Sequence, residues 1–308
     1  MTTTKLAPVI KELINVKWAR PGPTPAPLGI LDVYSKLKSE ATEGQFGERP
    51  WLALSAAATF TLNSPTSLAV LHHVAATQTS LGPVPAAELI REVGLKCISF
   101  NGIPRTINCL GAFRQHLERE GLGAELETQP TRMLTPENIA AVNQRGRNLW
   151  QSVYTPLDEK LESKLATSHP DLPVYILGGH YGPLLSDPTQ RGRLGVVGRT
   201  LTSVVAIACL RAQTGVGPQV LSHVYGLLKA VEQGAHREEL EEVEAKGVET
   251  LATDLGCEWL LRSVDAISDA IGTSFAQPLE DAQPVKVENA QSREDFFGRE
   301  SEPRKHKL

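Results

Sequence analysis

Between Gly217 and Gly234 the sequence prescribes a helix and leaves room for little else. Pro218 stands at its start, where a missing N–H costs nothing and a fixed φ suits the first turn. Val220, Leu221, Val224, Leu227, Leu228 and Val231 recur at i, i+3, i+4 spacing and make one apolar face. Gly234 follows as the C′ glycine that ends the helix. A second segment, Arg199 to Leu210, is apolar nearly all round, which predicts a helix buried on every side. Another helix is expected from His236, with Glu238, Glu239, Glu241 and Glu242 at the positive end of its dipole. The acidic run Glu238–Glu244 reads as a solvated helix face. Only Val174–Leu177 and Cys97–Phe100 have strand character, and both are short. The expected fold class is all-α.

The 308 residues also carry a self-similarity. Residues 49–93 laid on 199–243, an ungapped offset of 150, share about ten identities. They include Arg49/Arg199, His73/His223, Glu88/Glu238 and Glu92/Glu242. The reading is an internally duplicated chain with four parts: residues 1–27 as an N-terminal segment and Pro-rich connector, 28–130 as a first unit, 131–276 as a second, and 277–308 as a tail. In the first part, Thr4–Trp18 is expected to be a helix docked on the body, and Pro21, Pro23, Pro25 and Pro27 to stiffen the connector. The last part is charge-mixed, poor in apolar residues and expected to be disordered.

Charge and composition exclude some functions. A formal net charge of −4 gives no field for holding DNA or RNA, so no nucleic-acid partner is expected. The longest apolar run, Leu201–Leu210, falls well short of the roughly 18 residues a membrane span needs. The four cysteines, Cys97, Cys109, Cys209 and Cys257, form no CxxC pair and suit reduced thiols in an intracellular protein. Lysines and Glu12 interrupt every apolar stretch near the start, so no secretory signal is read there, and the match to a mitochondrial presequence is weak. The final His306-Lys307-Leu308 is similar to a C-terminal peroxisomal address, with histidine in place of the small residue. Peroxisome is the expected compartment, with mitochondrion and cytosol as alternatives.

The order of motifs along the chain resembles a known superfamily. Arg199, the apolar helix Leu201–Leu210, Ser222-His223-Val224 and the acidic start Glu238-Glu239 after Gly234 resemble the core of the carboxymuconolactone decarboxylase and alkylhydroperoxidase D (AhpD-like) proteins. Arg145-Gly146, Trp150, Tyr154 and Tyr181-Gly182 resemble the lead-in of the decarboxylase branch. Glu88–Glu92, followed by the Gly102-Ile103-Pro104 turn and Asn108, resembles that branch's closing segment. The resemblance implies an AhpD-like helical fold, a homo-oligomer built on trimers, a small-molecule substrate, and no metal or organic cofactor. The peroxidase branch carries a CxxC before its histidine. Here those positions hold Val216 and Gln219, or Thr66 and Ala69 in the first unit. Thiol peroxidase chemistry would have to fall to Cys97 or Cys109. The decarboxylase branch works without cysteines, by protonating a carbanion left on loss of CO2.

Four residues are therefore candidates for catalysis. His223 is the expected proton donor or acceptor, with a packed core histidine as its alternative. Arg199 could hold a carboxylate bidentately or serve in a capping ion pair. His180 and Tyr181 lie in Gly178-Gly179-His180-Tyr181-Gly182, read as a glycine-rich turn that lets backbone approach a ligand. His73 shares the position of His223 in the first unit but lacks the rest of a site, and Asn108 reads as a cap or ligand contact. Three functions are consistent with this set: non-redox acid–base chemistry on a small carboxylated or lactone metabolite, a thiol peroxidase, or a catalytically degenerate scaffold or binding protein.

Overall fold

The computed structural model describes residues 6–17, 21–190 and 192–272, all within one compact unit. The expected tail and its His306-Lys307-Leu308 lie outside the described residues. The described residues are helical, with no strand among them, and the all-α expectation holds. The helices are α1 (Pro8–Ile14), α2 (Ile30–Glu43), α3 (Glu48–Thr61), α4 (Pro65–Gln78), α5 (Pro83–Lys96), α6 (Ile98–Asn101) and α7 (Ile103–Arg119). After a loop come α8 (Ile139–Tyr154), α9 (Asp158–Ser168), α10 (Asp171–Tyr175) and a π-helix (Ile176–Leu185). The chain closes with α11 (Gly198–Gln213), α12 (Gly217–Glu232), α13 (Ala235–Glu239), α14 (Glu242–Leu251) and α15 (Asp254–Ile271). Both short stretches of strand character are helical here: Cys97–Phe100 enters α6, and Val174–Leu177 spans α10 and the π-helix.

The core is built on α3 and α11, which pack against each other. Every residue from Pro50 to Thr61 is buried, as is every residue from Gly198 to Leu210. Such helices take small and apolar residues on all faces, because each face meets another helix. Several of their polar side chains are satisfied locally, although Ser55 Oγ and Thr200 Oγ1 are buried without a protein partner. Thr59 donates to the carbonyl of Ser55 at 2.7 Å and shares a 2.6 Å hydrogen bond with the Tyr34 hydroxyl. Leaving such groups unpaired would cost about 1–3 kcal/mol each. A second apolar cluster, Leu149, Trp150, Tyr181 and Leu185, joins α8 to the π-helix.

Two helix starts are capped by acids from far along the chain. Glu244 accepts from the backbone N–H of Glu48 and of Arg49, both at 3.2 Å, at the start of α3. Glu239 accepts from the N–H of Arg199 and, at 3.0 Å, of Thr200 at the start of α11. The acidic run is therefore not wholly a solvated face. These two carboxylates turn inward because unsatisfied N–H groups and a positive dipole end attract them.

Three other expectations need correction. α1 forms, but none of its residues is buried, so it does not dock; Val9, Leu13 and Ile14 stand well exposed. The connector is held instead through Thr24, whose N–H and hydroxyl bond the carbonyls of Asn63 and Leu62. The glycine-rich segment 178–182 is no turn. It lies inside the π-helix, where Gly182 meets Gly146 of α8 so closely that a Cβ on Gly146 would lie 2.5 Å from the Gly182 nitrogen. Two glycines side by side favour close helix contact over a flexible loop.

Candidate active site

Arg199, His223 and Tyr181 are brought together by α11, α12, α8 and the π-helix. Arg199 sits in the first turn of the buried α11 and points towards α8 and α12. Its Nε donates to Ser152 Oγ at 2.7 Å and its Nη1 to Ser203 Oγ at 2.6 Å. Its Nη2 donates to the carbonyls of Gly226 at 2.7 Å and Ser152 at 3.3 Å. Gly226 lets α12 pack close to its neighbours, since a Cβ there would lie 3.2 Å from both Ser203 Oγ and Val153 Cγ1. Burial lowers the Arg199 pKa to about 10, against the pull of Glu239, Tyr181 and Tyr154, so the group remains a cation near neutrality. Every guanidinium nitrogen is occupied by the protein.

His223, on α12, is only 7% exposed. Its Nε2 lies 3.5 Å from the Tyr154 hydroxyl, and Tyr181 donates to that hydroxyl at 3.3 Å. The rings of Phe100 and Tyr154 meet it edge-on, each with centroids 6.1 Å away. Its Nδ1 is buried without a protein partner. Burial first, and then the charge of Arg199, push its pKa down to about 4. The imidazole is thus neutral at pH 7 and suited to accept a proton. Burial raises the pKa of both tyrosines, so they too stay neutral. The three residues form a line of polar atoms, Tyr181–Tyr154–His223, beside a fixed cation.

His180 takes a different direction. Its Nδ1 shares a 3.0 Å hydrogen bond with Ser99 Oγ of α6, and its ring meets Tyr175 edge-on. Both His180 and Ser99 are partly exposed. His73 is exposed on α4, away from any such network, and Asn108 donates to Asn63 Oδ1 at 3.3 Å.

Sequence reasoning missed the support of this site. Lys96 is wholly buried at the end of α5. Its Nζ donates to the Leu185 carbonyl at 2.6 Å, to Thr202 Oγ1 at 3.0 Å and to Asp187 Oδ1 at 2.5 Å. Asp187 Oδ2 in turn accepts from the N–H of Gly198. This ties the end of the π-helix to the start of α11, and so His180 and Tyr181 to Arg199. Ser99, Ser152 and Ser203 were missed as well. The available signal was a lysine closing an otherwise apolar helix face.

The cysteines are packed groups. Cys97 meets Cys209, Sγ to Sγ 3.5 Å, and not Cys109. Burial pushes the Cys97 thiol well up and that of Cys109 to about 12. Among the described residues no group of three or more His, Cys, Asp or Glu side chains converges as metal ligands do. Two hollows on the described surface lie away from this site: one of about 500 Å³ beside Trp51, Glu48, Glu244 and Lys246, and one of about 650 Å³ beside Arg91, Arg132, Leu110 and Met133.

Fold and site together define an all-helical protein with a buried histidine–tyrosine–arginine network. The chain is similar to Peroxisomal protein 2 of Saccharomyces cerevisiae (strain ATCC 204508 / S288c), 29% identical over 171 residues. The match covers 50% of this chain and 57% of that protein, so the chain spans little over half the length of the relative. No family model and no solved structure matches.

Proposed function

We propose that this is a peroxisome-associated, AhpD-like protein that carries out non-redox acid–base chemistry on a small carboxylated or lactone substrate. The observation that carries the reading is the buried Nδ1 of His223, an unpartnered atom on a neutral imidazole beside a cation. Other buried polar atoms here also lack partners, but this one stands beside Arg199 and the tyrosine pair, and a substrate proton is the kind of partner it lacks. In this reading His223 accepts the proton, Tyr154 and Tyr181 hold the ring and relay hydrogen bonding, and Arg199 supplies fixed positive charge. Because the guanidinium is fully occupied, Arg199 would favour negative charge through its field, without gripping a carboxylate. No metal or organic cofactor is part of the scheme. The relative's name supports a peroxisomal address. The offset of 150 carries α3 onto α11 and α4 onto α12, which supports an internal duplication, and self-association into trimer-based oligomers follows from the family reading.

The test is turnover of a panel of lactone carboxylates by wild type and by His223→Ala, with helical content checked by circular dichroism. Loss of about 100-fold or more in rate with the fold retained is the expected result. Unchanged turnover would sink the assignment. A second reading, a degenerate scaffold, is favoured by the saturated Arg199. A wild-type protein inert to every substrate in the panel would support it.

A further inference from the structure

We propose that Ser99 and His180 form a second reactive pair, separate from the His223 network, in which Ser99 Oγ is a nucleophile for carboxylic esters and lactones and His180 Nδ1 is its base. A serine hydroxyl is a poor nucleophile unless a base stands within hydrogen-bond reach to take its proton. Here the separation is 3.0 Å. Burial lowers the His180 pKa from its ordinary value, so the imidazole is neutral at pH 7 and its Nδ1 is open to a proton when Nε2 carries the ring hydrogen.

Two features fix the pair. Ser99 lies in the one-turn helix α6, between the end of α5 and the start of α7. Lys96, three residues before it, holds the Leu185 carbonyl at the far end of the π-helix that bears His180. One buried lysine therefore sets the distance between the two elements. Both side chains are partly exposed, in contrast to His223, so a small ester reaches them without opening the core.

In the reaction Ser99 Oγ bonds to the carbonyl carbon and its proton passes to His180 Nδ1. The carbon–oxygen bond to the leaving group then breaks, and the departing alkoxide takes that proton. Water attacks the acyl-serine by the same route, releasing the acid and restoring the hydroxyl. One ester and one water give one acid and one alcohol, or one hydroxy acid from a lactone.

A fluorophosphonate tests this on the full chain. Oγ displaces fluoride from phosphorus and leaves a stable adduct that peptide mass spectrometry locates. The expected result is an adduct on Ser99 of the native protein, none on heat-unfolded protein, and labelling slowed about 100-fold in His180→Gln. If His180→Gln fails to fold, carbethoxylation of His180 in the wild type replaces it, with the same loss expected. A native protein without an adduct on Ser99, or labelling of Ser99 at an equal rate without the imidazole, overturns the proposal. The outcome is independent of His223→Ala, so it stands or falls apart from the lactone carboxylate assay.

Discussion

The Nζ of Lys96 lies 2.5 Å from Oδ1 of Asp187, and the lysine side chain is wholly buried. The pair joins α5 to the segment between the π-helix and α11, and the remaining donors and acceptors of both groups are used. Removing one member of such a pair strands the other charge in a dry interior. Lys96→Met should lower stability by about 3–5 kcal/mol in urea unfolding. A loss under 1 kcal/mol would mean that the pair is hydrated.

Arg199 and His223 are electrically coupled. The cation is the second cause, after burial, of the low His223 pKa. In Arg199→Met the pKa of His223, followed by NMR of its ring protons, should rise from about 4 while staying below 6.5, because burial remains. An unmoved pKa would remove Arg199 from the electrostatics of the site.

The same low pKa makes stability depend on pH. His223 takes up a proton at about 4 when folded and at 6.5 when unfolded, so between these values the unfolded chain binds more protons. Its contribution is full above pH 6.5, declines as pH falls towards 4, and is flat below. The span is about 3 kcal/mol at most. His72, His116 and His180 are shifted in the same direction and add to the slope. Denaturant midpoints measured from pH 7.5 to 4 should show a shallower decline in His223→Leu than in wild type. Parallel curves would count against a depressed pKa.

Thiol reactivity should follow burial. Cys257 is the one cysteine of the four with partial exposure. Iodoacetamide on the native protein should modify Cys257 first, and Cys97, Cys109 and Cys209 only on unfolding. Rapid native alkylation of Cys97 or Cys109 would reopen thiol chemistry.

Gly146→Ala should separate α8 from the π-helix, because its Cβ would meet backbone at 2.5 Å. A loss of about 1–3 kcal/mol is expected, with faster hydrogen exchange across 176–185. Wild-type stability in this variant would mean that the two elements have slack.

How much was legible follows the range of the forces involved. The stripe from Val220 to Val231, the Gly234 stop and the buried Arg199–Leu210 helix depend on periodicity and local chemistry, and they appear in the fold, except that Leu221 of the stripe stands exposed. The closeness of His223, Tyr181 and Arg199 came from a resemblance. No local rule places Tyr154 beside a histidine 69 residues away. Lys96 was passed over because its partners, Leu185, Asp187 and Thr202, are all remote in sequence. Glycines 178, 179 and 182 suggested a turn because glycine frees the backbone. At Gly182 the same lack of a side chain serves close packing, a difference visible only once Gly146 is in place.

The capping of α3 has a consequence for how the chain acquires its shape. The N–H groups that open α3 wait for the carboxylate of a residue 196 positions later. At a synthesis rate of about 5–20 residues per second, that is a delay of roughly 10–40 s. During it one of the two core helices has no finished end. The nascent chain must therefore spend most of its translation with an uncommitted centre, in the interval when a chaperone has most to hold.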